Sequence, residues 1–565
     1  MILRNLSFLV LASGMALAQA NPPSNSSVAD ELKAMRESIA AQQQQIAQQQ
    51  QQITEQRQQI VQQQQQIQDL KMTVGDKKTG TPHVEDAALR SGVPNDAAAI
   101  ASDQQPEKPK ESPLSFRIGG TDWTPGGFMD FNNIFRTVNT GNVVGTNFGA
   151  IPYNNTAAGQ LTEFRSTGQY SRWNLKVGGK YGETNLTGYI EGDFNGNDAA
   201  NVFVTTNPHT MRLRLYYLNA KRGIWEFTGG QAWSLITPNR VGVGPMGADL
   251  ATTQSTDANI HVGMPYARDG QFRVAVHPND HFAWAFSVEN PQQITNGEVA
   301  SPTAFSTVLG TQIDGVATAG VPNAFPDLMS KMAWDTALGG HAFHLEGGGL
   351  MTSAKVTVQP TPVVTGETFS KHTKIGGGGL AGMNFELVKN LRLLAYGVYG
   401  EGVARYFNGL GPQFVIVPVS NGAAACTNAG GCDIELSMVH SASGFGGFEA
   451  QVGKRTQLAA YYGGQYYQRN AFPDLTSSAA TKPFIGFGGT GSANSNNRAI
   501  QEGSFVWTQT LWRNPQFGAL LLINDASYST RAPWFVAKNA TTGALVAPKN
   551  AHMFMDHIVL RYVLP

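Results

Sequence analysis

Seven cations draw attention by where they fall: Arg136, Arg172, Lys176, Lys180, Arg212, Arg214 and Arg273. Each sits on the polar side of a segment in which polar and apolar residues alternate one by one. Four acids follow the same rule, Asp130, Glu191, Asp193 and Glu226. A guanidinium offers a planar fork of N–H donors that matches a carboxylate or a phosphate, so a row of such groups can replace the water around an anion and then release it. The acids allow a second reading, with both signs facing each other across a passage. In a third, the charges pair among themselves and solvate a wide, unselective lumen. Anion preference is the expectation, and the other two stay open.

Enzymatic chemistry is poorly served. GxGxxG occurs as Gly242, Gly244, Gly247 and again as Gly486, Gly488, Gly491, but neither run opens a helix after a strand, which phosphate cradling requires. "HAFHLE" brings His341, His344 and Glu346 close in sequence. On a strand, histidines three apart face opposite ways and do not share a metal ion easily. HExxH and GxSxG are absent. No catalytic residue, metal or cofactor is expected, and 40 basic residues balanced by 40 acidic ones argue against a nucleic-acid partner.

The elements that position these charges are strands. In "GGFMDFNNIFRTV", Met129, Phe131 and Phe135 oppose Asp130, Asn132 and Arg136; in "YSRWNLKVGGK", Trp173, Leu175 and Val177 oppose Arg172, Asn174 and Lys176. "NLTGYIEGDF" sets Leu186, Ile190 and Phe194 against Tyr189, Glu191 and Asp193, and "TMRLRLYYLNA" sets Met211, Leu213 and Leu215 against Arg212 and Arg214. About sixteen such segments follow Ser115. Short turns such as "KYGET", "AKRGI", "HPNDH" and "LVKNL" alternate with long insertions at 138–168, 195–210, 234–269 and 290–326. That asymmetry predicts an all-β transmembrane barrel of about sixteen antiparallel strands over 115–565, preceded by an α-helical coiled coil. A mean hydropathy of -0.22 suits a barrel, whose signal is alternation rather than bulk apolarity. Trp225, Phe227, Trp233, Trp284, Phe286, Trp334, Tyr396, Tyr399, Trp507 and Trp512 are expected in girdles at the strand ends. The insertion from Ser234 to Arg268 is the best candidate to fold inward as a constriction.

The front of the chain reads differently. Residues 1–20, "MILRNLSFLVLASGMALAQA", have the basic start, short apolar run and small closing residues of a secretory signal peptide. Leu32, Ile39, Ile46, Ile53, Ile60 and Ile67 then recur every seventh residue through a glutamine-rich stretch, which predicts a self-associating helix over 29–73 of roughly 65 Å. Isoleucine at core positions tilts the expectation towards three strands. Residues 74–114, proline-punctuated and charged, read as a linker. In an oxidising compartment Cys426 and Cys432, in "CTNAGGC", are expected to close as a disulfide.

With these parts in place, the chain resembles the DcaP-like trimeric outer-membrane porins. The resemblance rests on the glutamine-rich heptads, "GGFMDFNNIFR" as first strand, "RLRLYYLNAK" followed by "GGQAWSLITP", "SVENPQ", and the terminal "HIVLRYVLP". It implies a homotrimer in the bacterial outer membrane with a periplasmic N-terminal helix, contact with membrane lipid, and one pore per protomer favouring small anionic solutes, dicarboxylates among them. The alternatives are a phosphate-selective or general diffusion pore, and a surface adhesin whose coiled coil contacts the cell wall.

Overall fold

A period of two sends every second side chain to one face of a strand, and here that rule closes a barrel. The computed structural model describes residues 112–565 apart from 143, 197–209, 248–259, 296–298, 306–311, 314–323, 359–368, 410, 421–431, 493–495, 537 and 540. The expected signal peptide, heptad helix, nearly all of the linker and the Cys426–Cys432 bridge lie outside the described residues.

A short lead-in, β1 (Phe116–Ile118), pairs with the start of β2 (Thr121–Arg136). Next come β3 (Glu163–Thr167) and β4 (Arg172–Tyr181), two pieces of one strand laid against β2. The wall continues through β5 (Thr184–Asp193), β6 (Arg212–Arg222), β7 (Trp225–Trp233), β8 (Arg268–Asn279) and β9 (Phe282–Glu289). Longer strands follow: β10 (Asp327–Leu338), β11 (His341–Val358), β12 (Ser370–Val388) and β13 (Leu391–Glu401). A hairpin of β14 (Phe414–Ser420) and β15 (Cys432–Met438) precedes β16 (His440–Val452) and β17 (Thr456–Tyr467). A second hairpin, β18 (Asn470–Pro473) with β19 (Phe484–Phe487), precedes β20 (Asn497–Asn514), β21 (Gly518–Pro533) and β22 (Ala551–Val563). Neighbours are antiparallel, and β22 returns to pair with β2 from Phe128 opposite Val563 to Arg136 opposite Met555. Counting β3 and β4 together, the closed barrel has sixteen strands, as the alternation predicts. Closure leaves no sheet edge, the one way a sheet satisfies its backbone in hydrocarbon.

The two ends differ as expected. At one end the connections are turns of two or three residues, including Gly339–Gly340, whose φ values of 61° and 85° fit the hairpin turn that matches strand twist. "LVKNL" turns at Asn390, with φ 70°, a conformation asparagine tolerates better than most residues. The other end carries the long loops and both extra hairpins.

The outward face is a band of exposed apolar side chains, among them Met129, Phe131, Leu218 and Phe272. Trp225, Trp284, Trp334 and Trp512 are exposed close to the short turns, where a girdle belongs. Two girdle assignments do not hold. Tyr396 is buried and points inward, donating its hydroxyl to the Ile236 carbonyl, and Trp233 packs against the inward cluster of Tyr189, Leu215, Tyr217 and Ala232. A third correction concerns Leu215, expected beside Leu213 on the lipid face. The ladder between β5 and β6 slips, pairing Glu191 with Leu215 and Gly192 with Leu213, so Arg214 is an extra residue. This bulge turns Leu215 inward, where it is fully buried, and aims Arg214 at the acids of β5.

If the apolar band faces lipid, Phe272→Arg, at a side chain 78% exposed on the outer wall, should cost about 2–4 kcal/mol near the bilayer midplane. Denaturant titration of the barrel refolded in lipid vesicles measures this, and an unchanged midpoint would remove Phe272 from the membrane surface.

Candidate functional site

The described parts of the loop between β7 and β8, 234–247 and 260–267, fold into the barrel. Their buried residues include Leu235, Ile236, Val243, Val262 and Met264. A loop inside a barrel brings backbone N–H groups that must find acceptors, and the wall supplies carboxylates from four strands. Leu235 N donates to Glu289 (3.1 Å), Asn239 N to Glu346 (3.0 Å), Gly242 N to Asp335 (2.9 Å) and Val262 N to Glu502 (2.8 Å). Lys331, with no exposed side-chain surface, donates to the Thr237 carbonyl (2.9 Å) and Asn239 Oδ1 (2.6 Å) and pairs with Glu346 (2.9 Å). Arg240 pairs with Glu449 at 2.8 Å. Further on, Ser443 Oγ donates to the Gly263 carbonyl, and bare glycine backbone lets loop and wall touch: a Cβ on Gly463 would fall 2.0 Å from the Val262 oxygen.

The acids of this wall are thus committed to the loop. Nearby, the buried Arg405 pairs with Asp327 (2.9 Å) and Asp269 (3.1 Å), while the Tyr406 hydroxyl donates to Asp327.

The arginines of the first strands belong to the other side, and they are not equivalent. Arg136 is fully buried, bound to Glu163 (2.8 Å) and to the Val144 carbonyl, so it ties down the first long loop. Arg273 is also buried and donates to Gln271 and to the carbonyls of Trp233, Val243 and Gly244, fixing the inward loop. Arg212 grips Asp193 with two bonds of 3.0 and 2.7 Å, and Arg214 bridges Glu191 (2.7 Å) and Asp193 (2.8 Å). Tyr189 donates to Glu191 as well, which leaves Arg172 3.7 Å from that carboxylate. Asp130 is held by both arms of Arg561, at 2.7 Å each. Lys176 points inward and is half-buried, whereas Lys180 lies exposed by a short turn. Glu226 accepts from Asn219 and meets His277 at 2.8 Å, apart from the arginine group. His344 and Glu346 share the inward face and His341 does not join them; among the described residues no group of acids, histidines or cysteines could hold a metal ion.

Besides Lys331, Arg240 and Arg405 at the loop, two cations on this side were missing from the sequence reading. Arg561 follows the inward alternation of the last strand and could have been found from "HIVLRYVLP". Arg268, the register partner of Trp233, stacks its guanidinium 5.4 Å from that ring and lies within electrostatic reach of Arg214, Arg212 and Arg172. Alternation within β8 sets it on the parity of Phe272, opposite Arg273, so the sequence pointed it away from the lumen. Among the described residues, Arg172, Arg212, Arg214 and Arg268 are four guanidiniums against the two carboxylates of Glu191 and Asp193. The cluster is therefore electropositive, and its bonds are donors already aimed by fixed acids.

Lys331→Met removes the buried cation that pins the loop. Breaking such a pair costs about 3–5 kcal/mol locally, so single-channel recordings should show several-fold more frequent closures with the reversal potential unchanged. Recordings as quiet as those of the unaltered protein would mean that the loop does not depend on this lysine.

No family model matches the chain, and no curated relative matches it. Among solved structures it is similar to the outer membrane channel DcaP of Acinetobacter baumannii, at 15% identity and a TM-score of 0.52, over 80% of this chain and 100% of that one. An anion-selective porin from Comamonas acidovorans (9% identity, TM-score 0.41, 79% of this chain and 100% of that one) scores too low to carry an argument. So does OmpT, an outer membrane protein of Vibrio cholerae (11% identity, TM-score 0.40, 80% and 99%). At this identity the DcaP likeness speaks for the fold, and the chain is a porin-like closed barrel of sixteen antiparallel strands.

Proposed function

We propose that this protein is an outer-membrane porin through which small anionic solutes, dicarboxylates among them, diffuse passively. One observation carries the reading: the acids of one wall are consumed by the inward loop, while an arginine cluster with more cations than acids occupies the other. An anion passing between them meets donors on one side and little uncompensated negative charge on the other. Several such donors in series bind weakly enough to let it leave. Phosphate is a second reading within this class, because the guanidinium fork serves its oxygens equally well.

The test is the reversal potential of the purified protein in a planar bilayer under a salt gradient, with succinate or phosphate then added. Anion selectivity with block by succinate is the expected result; block by phosphate alone would shift the solute class. An unselective current would reduce the cluster to a structural feature, and no current would favour an adhesin.

The heptads of 29–73 fit a periplasmic rod that holds three barrels together behind a cleaved signal peptide, with the cell wall as a further contact. Removing residues 29–72 should lower the temperature at which the trimer dissociates in detergent. A trimer equally stable without them would sink that role.

A further inference from the structure

Most cations of the lumen are already occupied. Arg136, although its buried Nε has no partner among the described residues, and Arg561 are matched by one carboxylate each, Arg212 and Arg214 share Glu191 and Asp193, and Arg273 is spent on carbonyls. Two guanidiniums near the arginine cluster are left with donors to spare. Glu191 is engaged by Arg214 and Tyr189, so Arg172 stays at 3.7 Å and its Nε, although buried, has no hydrogen-bond partner among the described residues. Among the described residues Arg268 makes no ion pair, and its buried Nη1 has no hydrogen-bond partner there either. A buried donor left unpaired is costly, and a charged one more so.

Both groups are nevertheless held in place by aromatic faces. Arg268 stacks on Trp233 at 5.4 Å and Arg172 on Phe128 at 5.2 Å, contacts that orient a guanidinium while leaving its N–H edge for another ligand. Trp233 and Arg268 also mark the two ends of the inward loop, one closing β7 and the other opening β8. Arg268 therefore lies at the root of the inward loop, with Arg172 within electrostatic reach of it.

We propose that Arg268, with Arg172 beside it, is the specificity-determining anion subsite of the pore, taking an oxyanion of the carboxylate or phosphate type. The more conspicuous Arg136, Arg212 and Arg273 hold the architecture. This rests on the porin reading above and adds to it the residue that binds. A passing oxyanion supplies the acceptor that Arg268 lacks, and the fixed stack on Trp233 means that little order has to be created when it arrives.

Block of the potassium chloride current by acetate and by inorganic phosphate tests this, in unaltered protein, Arg268→Gln, Arg268→Lys and, as a control at an exposed pair with Glu183 by the short turns, Arg222→Gln, each first shown to run as a folded barrel. Losing a charge-assisted bond should raise the half-blocking concentration about tenfold in Arg268→Gln. Arg268→Lys, which keeps the charge but loses the fork, should fall between Arg268→Gln and the unaltered protein. Arg222→Gln should leave block within about twofold. Loss of block by both anions supports a shared oxyanion site; loss for one alone supports the subsite and identifies which chemistry it takes. Anion-selective unaltered protein with undiminished block in Arg268→Gln overturns the subsite and leaves the porin reading standing. If the unaltered protein shows no anion selectivity, the porin reading and the subsite fall together.

Discussion

The structure depends on one requirement: a backbone N–H taken out of water must find an acceptor. The wall meets it by closing, so that β22 lies against β2 and no strand is left with a bare edge. The loop inside the wall meets it differently. Having no strand partner of its own, it borrows the carboxylates of Glu289, Asp335, Glu346 and Glu502. Those acids thereby stop being part of the passage, and the electrostatic character of the lumen is set by what remains.

That division also explains the buried charges. Lys331 would be expensive alone in the interior, yet it lies between Glu346 and two oxygens of the loop, so that the same contacts satisfy it and fix the loop. Arg405 does likewise between Asp269 and Asp327. On the far side, the β5–β6 bulge places Arg214 where a regular ladder would not, within reach of both Glu191 and Asp193. A rigid lattice of arginines and acids results, and a lattice of that kind can present donors to a solute without first having to reorganise.

The sequence by itself determined the barrel. Met129 and Asp130, or Trp173 and Asn174, could face only opposite sides, and sixteen such segments with short and long connections in turn leave few closed architectures. It also marked the loop after Ser234 and put Arg212 and Arg214 on the inner face. Tertiary structure decided the rest, because pairing is not encoded in alternation. Arg136 and Arg273 look as available in sequence as Arg172, and only the approach of Glu163 and of the loop carbonyls shows them to be occupied. Leu215 and Tyr396 were misplaced because a one-residue slip reverses a face and an inward loop recruits a tyrosine. Arg268 shares the strand parity of Phe272, so alternation pointed it outward. The pairing of β7 with β8 sets it against Trp233, with no ion pair among the described residues.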